Sequence, residues 1–184
     1  SFIISSILDL GINTFVCLQL EYVAGVPEAA WRSGQALRPY FSDALAIHQE
    51  RPALPGADPS QKLDFVHFPI RDCDTVEDAS VLKLARHLVE MVQRGHRLYL
   101  HCWGGHGRTG TVVCIMLYLI YGLSAPDAMR RCQFVHDLRR IPIDVGSPQT
   151  AKQRAQVTRI ISRLMSAKAA AAKDAAALHP RPKQ

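Results

Sequence analysis

The chain has 184 residues, 48% of them hydrophobic and 21% charged. That length suits one domain with a sizeable core, and that composition excludes collagen-like, low-complexity and wholly disordered chains. The formal net charge is +6, which raises nucleic acid or an acidic membrane surface as partners. Residues 151–184, however, carry eight Lys/Arg against one Asp, a net of +7, and residues 1–150 carry 14 basic against 15 acidic side chains, a net of −1. The body is nearly neutral, so no nucleic-acid partner is expected.

In chain order, Ile3, Ile4, Ile7, Leu8 and Leu10 recur at helical spacing and Gly11 stops them. Residues 12–19 are rich in β-branched and aromatic side chains and predict a buried strand. Residues 26–49 predict helix in two pieces around Gly34, and the Pro and Gly of 51–61 predict a loop. Residues 63–68 predict a second strand, broken by Pro69. An amphipathic helix follows, with Val81, Leu82, Leu84, Leu88, Val89 and Val92 on its apolar side and Gly95 closing it. Residues 97–101 predict a third strand. Residues 101–110 are too glycine-rich for either element, and helices are expected over 109–121, 125–138 (capped by Ser124) and 148–165. Residues 109–126 carry no charge, which touches the length of a membrane span, but Gly122 and Pro126 interrupt them and a buried core helix is expected. Strands separated by helices predict an α/β fold with a parallel sheet covered on both faces, in which functional loops leave the C-terminal strand ends.

The five cysteines (17, 73, 102, 114 and 132) are odd in number and form no CxxC pair. That argues against a disulfide framework or a cysteine zinc site, and for a reducing, cytoplasmic setting. Scattered histidines form no HxxxH pair with a carboxylate, so no metal or other cofactor is expected. Residues 1–19 lack the basic region and cleavage site of a signal peptide. With no initiator Met, the chain is expected to be part of a longer one. Oligomeric state is not legible.

The chemistry concentrates in residues 102–108, where Cys102 and Arg108 enclose five residues, three of them glycine, directly before a helix. Glycines let successive N–H groups curl inward into an anion-binding nest. The helix N-terminus adds further N–H groups and a positive dipole end. Arg108 can grip two phosphate oxygens as a fork. In that field the Cys102 thiolate is favoured, and beneath a bound phosphate it is a nucleophile aimed at phosphorus. Three rival readings compete. Gly105, Gly107 and Gly110 form a literal GxGxxG with Asp127 seventeen residues on, but an Arg between the glycines has no use in a dinucleotide fingerprint. A Walker A loop needs Lys-Ser/Thr after its last Gly, where Thr111-Val112 stands. A structural thiol belongs elsewhere than in a glycine-rich strand-to-helix turn.

The run His101-Cys102-Trp103-Gly104-Gly105-His106-Gly107-Arg108-Thr109-Gly110 resembles the HCxxGxxR(S/T)G phosphate loop of the cysteine-based protein tyrosine phosphatases, and most closely their compact dual-specificity branch. The resemblance covers residues 12–165, loosely over 20–61. It implies a three-layer α-β-α fold with a mostly parallel sheet, whose first strand would lie upstream of Ser1. It implies a phosphatase domain over 1–165 and an Ala-rich basic tail over 166–184, expected to fray. Residues 103–108 would bind phosphate through their N–H groups, Thr109 would hydrogen-bond the Cys102 thiolate, and His101 would help set its pKa. HFPIRD at 67–72 places Asp72 as the general acid, with Asp74 as the runner-up. QTAKQ at 149–153 is similar to the glutamine loop that positions the hydrolytic water, with Gln149 and Gln153 as the matching amides. The implied substrate is a phosphorylated protein bearing phosphotyrosine, phosphoserine or phosphothreonine. A phosphoinositide, sugar or nucleic-acid 5′-phosphate substrate stays open, as does a catalytically silent phosphate-binding module. The loop lacks the lysines that lipid-phosphatase members often carry, and His106 is its only cationic candidate besides Arg108.

Two clusters outside the motif have bland and functional readings. Cys73 adjoins the acid and can be a plain loop thiol or a disulfide partner for Cys102 under oxidation. Arg130, Arg131, Arg139 and Arg140 can be a solvated face or a field that draws anionic substrates.

Overall fold

The computed structural model describes residues 2–50, 62–141 and 143–178. Its centre is β1 (Thr14–Gln19), buried at all six positions because it is flanked on both edges and covered on both faces. β2 (Asp64–Ile70) and β3 (Leu98–His101) pair with it in parallel, in the order β2-β1-β3. The alternation of side chains sorts the two faces. Phe15, Phe65 and Tyr99 point to one side and pack with Ile4 and Leu8 of α1 (Phe2–Asp9) and Ala44 of α3 (Phe41–Glu50). Val16, Leu18, Val66, Phe68 and Leu100 point to the other side. There they meet Val81, Leu84 and Leu88 of α4 (Asp78–Gln93), Val112 and Ile115 of α5 (Gly107–Tyr121), and Ile160 of α7 (Ala151–Leu178). Each fully buried Leu, Val or Phe there stabilises by about 1.5–3 kcal/mol. The chain therefore has the expected three-layer α-β-α fold, with all described strand pairs parallel.

Several boundaries differ from expectation for physical reasons. Strand β2 runs through Pro69, because β2 is an edge strand and the pairing register shifts between Cys17 and Gln19 of its neighbour; a missing N–H is tolerated at such a place. On α4, Met91 is buried and Val92 is 40% exposed, so the apolar stripe turns one residue earlier than predicted. The helical stretch after β1 contains α2 (Glu28–Arg32) and α3, separated by a longer break than Gly34 alone suggests. Helix α5 begins at Gly107 rather than 109, which brings Arg108 into its first turn. It ends at Gly122, whose φ of 70° and N–H to Tyr118 O bond (2.8 Å) close the helix in the left-handed region that glycine enters without strain. Helix α7 runs to Leu178, so the stretch expected to fray from 166 is helical as far as it is described; its alanines carry the best intrinsic helix propensity. The loop predicted over 51–61 lies outside the described residues. No single described helix is long and apolar enough to cross a membrane, although α5 and α6 (Ala125–Asp137) pass that test jointly as a pair bent by 119°.

Parallel strands end on one side, and the register fixes what arrives there. Gln19 pairs with Ile70, so Glu21 and Asp72 each lie two residues past the same rung. Cys17 pairs with His101, which places Cys102 just beyond the third strand end.

Candidate active site

Three strand ends and one helix start meet around Arg108. Its side chain is buried in the first turn of α5, at 2% exposure. Nη1 donates to Glu21 Oε2 (2.9 Å) and to the Ile70 carbonyl (2.9 Å), and Nη2 lies 2.8 Å from Asp72 Oδ1. The guanidinium is thus oriented by both neighbouring strand ends. Burial alone lowers its pKa, and the Glu21 hydrogen bond with the Cys102, Glu21 and Asp72 charges outweighs it, so the net shift is upward. Its Nε is buried with no hydrogen-bond partner among the described residues. A buried unsatisfied donor on a cation costs free energy until an acceptor reaches it.

Cys102 sits at the floor of the loop, 7% exposed. Burial pushes its thiol up, but the Thr109 hydroxyl (Oγ1 to Sγ 3.2 Å), the Thr109 and Gly105 N–H groups and the Arg108 charge outweigh it, so the net shift is downward. The expected Thr109–Cys102 bond is present. His101 Nδ1 lies 3.3 Å from the Cys102 carbonyl and Nε2 lies 2.5 Å from the Tyr40 hydroxyl. Burial pushes the Tyr40 hydroxyl up and His101 down. A neutral imidazole fits best with Nδ1–H donating to the carbonyl and Nε2 accepting from Tyr40, a tautomer assigned from the network. His101 therefore braces the backbone of Cys102 and does not contact its sulfur through these bonds.

Among the remaining loop residues, Trp103 is exposed at the mouth. Gly105 has φ +68°, a backbone turn that favours glycine, and a Cβ there would meet the tip of Arg139 (Nη2 at 2.8 Å), which would have to shift. His106 is held by His136 (Nδ1 to Nε2, 2.7 Å). Burial, Arg139 and His136 push its pKa below the ordinary value of 6.5. These contacts disfavour the charged ring, so the candidate cation at 106 is held by its surroundings against protonation.

The two aspartates separate clearly. Asp72 is exposed and faces Arg108. Asp74 Oδ1 accepts from the Thr75 N–H (3.0 Å) and meets Lys152 Nζ (3.5 Å), which hold its carboxyl below the usual range. Asp74 is thus engaged by Thr75 and Lys152, whereas Asp72 meets Arg108. Cys73, between them, has φ 57° and an exposed thiol 3.8 Å from Asp72 Oδ2. Desolvation and the Asp72 carboxylate push that thiol up.

The glutamines also separate. Gln149 is exposed, and its carbonyl accepts from Arg154 (2.6 Å). Gln153 is wholly buried; its Oε1 accepts from Thr150 N–H (3.0 Å) and its Nε2 donates to the Asp74 carbonyl (3.2 Å). Gln153 packs against Gly107, where a Cβ would lie 2.5 Å from its Oε1. Its amide thus ties the acid loop to the start of α7, packed beside the phosphate loop.

Three residues that shape the site, Glu21, Tyr40 and Arg139, carry no motif signal. Arg130 pairs with Asp127 and Arg131 lies over Phe134, whereas Arg139 reaches into the phosphate loop. Asp127 is spent on Arg130 and the Ser124 cap of α6, which removes the dinucleotide reading's acidic partner.

A parallel α/β sheet that delivers a buried, acidified thiol and a fixed arginine to one glycine-rich loop defines the cysteine-based protein tyrosine phosphatase class. A family model described as "PTP-SAK: Swiss Army Knife protein, DSP-PTPase phosphatase domain" matches residues 4–171, and the chain belongs to that family. It is 29% identical over 80 residues to "Putative tyrosine phosphatase 067L" of Invertebrate iridescent virus 3, a match covering 41% of this chain and 33% of the relative. It is 33% identical over 88 residues to "Cyclin-dependent kinase inhibitor 3" of Homo sapiens, covering 47% of this chain and 38% of that protein. The matches thus span little more than a third of these relatives. In fold it is similar to Tk-PTP in the active form (TM-score 0.56, 20% identity, 85% of this chain and 82% of that one). It is also similar to kinase associated phosphatase with its catalytic site cysteine substituted by serine (TM-score 0.58, 21% identity, 89% and 76%).

Proposed function

We propose that the protein hydrolyses phosphomonoesters through a phosphocysteine, with tyrosine-, serine- or threonine-phosphorylated protein as substrate. The carrying observation is the pairing of the acidified Cys102 thiol with Arg108, whose buried Nε is without an acceptor among the described residues. A phosphate above Cys102 satisfies Nε, takes Nη2 from Asp72, and receives N–H groups of 103–108. Asp72, released from Nη2, faces the leaving oxygen.

In the first step a Cys102 Sγ electron pair forms the S–P bond as the P–O bond to the leaving group breaks. The proton of the Asp72 carboxylic acid goes to the leaving oxygen. In the second step water attacks phosphorus, its proton passes to the Asp72 carboxylate, and the S–P bond breaks to return the thiolate. Arg108 and the loop N–H groups stabilise the equatorial oxygens throughout. The nucleophile works only when reduced, and the free state of all five cysteines supports a cytoplasmic setting. A protein substrate is supported by the viral relative's name as a tyrosine phosphatase and by a phosphate loop without lysine.

A panel of phosphotyrosine, phosphoserine and phosphothreonine peptides, phosphoinositides and cap-type 5′-phosphates, compared by kcat/KM, tests the reading. Highest turnover on a phosphopeptide is expected. Higher turnover on a non-protein phosphate overturns the substrate class, and no turnover on any overturns the enzyme reading.

A further inference from the structure

Arg139 lies just past the C-terminal end of α6, in a sequence run that reads as a solvated basic face. Its guanidinium instead reaches the outer side of the phosphate loop, where Nη1 donates to the Gly104 carbonyl (2.9 Å) and Nη2 to the Gly105 carbonyl (3.0 Å). The peptide unit joining Gly104 to Gly105 is planar and trans, so its C=O and N–H point in opposite directions. Its oxygen is held by Arg139, and its N–H, that of Gly105, is one of the backbone groups that lower the Cys102 pKa. One peptide thus stands between a cation outside the loop and the nucleophile inside it.

We propose that Arg139 is a positioning residue for this site: its fork holds the Gly104 and Gly105 carbonyls outward and so turns the intervening N–H onto Cys102 and into the anion nest. The inference deepens the reading of residues 102–108 as a phosphate-binding loop and rests on it. Three observations support a built arrangement. The two guanidinium nitrogens take two successive carbonyls, a match that one point charge does not reproduce. Gly105 lacks the Cβ that would lie 2.8 Å from Nη2, and its φ of +68° is the backbone turn that brings both carbonyls to one side. The loop is braced a second time from the C-terminal end of α6 by the His106–His136 bond, with His136 Nδ1 3.2 Å from Asp137 Oδ1. A cation on the carbonyl oxygen also polarises the peptide, strengthening its N–H as a donor to a thiolate or phosphate. Arg139 does not touch the reacting atoms and acts through this peptide.

The test uses the ligand-free protein and needs no turnover. The pH dependence of iodoacetamide alkylation is followed by mass on the Cys102-containing peptide, and vanadate affinity is measured alongside. Arg139→Ala is expected to move the alkylation midpoint to higher pH and to weaken vanadate binding about tenfold, the size of one charge-assisted hydrogen bond. Arg139 lines a groove of 1030 Å³ between α5 and α6, so free guanidinium ion can reach the position and is expected to reverse both changes in part. An unchanged midpoint with vanadate affinity within twofold of wild type overturns the proposal, even if the melting temperature falls. Should Arg139→Ala not fold, Arg139→Gln, which presents one amide nitrogen in place of the fork, carries the same expectation and the same contrary result. A wild-type protein without turnover whose low alkylation midpoint still rises in Arg139→Ala would overturn the phosphatase reading and support the positioning role.

Discussion

Glu21 Oε2 accepts from Arg108 Nη1 at 2.9 Å, across 87 positions of sequence. The acidic residue is 42% exposed and the basic one 1% at the side chain, so Glu21 is the solvent-side anchor of a buried cation. Glu21→Ala is expected to lower kcat/KM about tenfold, chiefly through KM, because Arg108 loses the carboxylate that orients it. Glu21→Gln keeps an acceptor and is expected to lose less. Steady-state kinetics on a phosphopeptide check both, and equal activity in Glu21→Ala and wild type contradicts the anchor.

Asp72 and Asp74 give opposite expectations. Asp72→Ala slows esters with poor leaving groups by roughly 10²–10⁴, the usual range for general acid help, and slows p-nitrophenyl phosphate far less. Asp74, bound by Thr75 N–H and Lys152, shows no such selectivity when replaced by alanine. Kinetics across a leaving-group series decide between them, and selectivity in Asp74→Ala reverses the assignment.

Thr109 makes the side-chain hydrogen bond that lowers the Cys102 pKa. A lowered thiol pKa means that thiolate forms at lower pH than in an ordinary cysteine. Alkylation of Cys102 therefore rises with pH through a midpoint below 9.0, the ordinary thiol value. In Thr109→Ala the thiolate loses a donor and the midpoint moves up; in Thr109→Ser it stays close to wild type. A midpoint in Thr109→Ala at or below the wild-type value contradicts the arrangement.

Gly107→Ala places a methyl group 2.5 Å from Gln153 Oε1 and 2.7 Å from its Nε2. Gln153 is held at both ends by Thr150 and Asp74, so it cannot simply swing away. Overpacking of this kind costs about 1–3 kcal/mol. Thermal melting should show the loss, and the mobility released in the Asp72–Asp74 loop should appear as reduced turnover of poor leaving groups.

Most of the fold and half of the site are legible in the chain itself. The strands before Glu21, Asp72 and Cys102 show their β-branched and aromatic runs, Cys102 and Arg108 enclose a glycine-rich turn whose residues point to the chemistry, and the family resemblance adds Thr109. Strand β2 crossing Pro69 is not legible, because whether a proline breaks a strand depends on its edge position in the sheet. Glu21, Tyr40 and Arg139 are not legible either. Each enters by a tertiary contact, across 87, 61 and 34–35 positions respectively, and each looks like an ordinary surface or core residue along the chain. The role of Gln153 is half legible: the motif singles out the residue, and only its burial shows that both ends of the amide are already engaged.

The covalent step is the central claim, and acid quench during turnover of a phosphotyrosine peptide tests it most directly. The quenched protein should carry one phosphoryl group on the Cys102 peptide, accumulating in Asp72→Ala with a good leaving group if water attack becomes slow, and absent in Cys102→Ser, which should lack turnover. Turnover with no adduct on Cys102, or full activity in Cys102→Ser, contradicts the account.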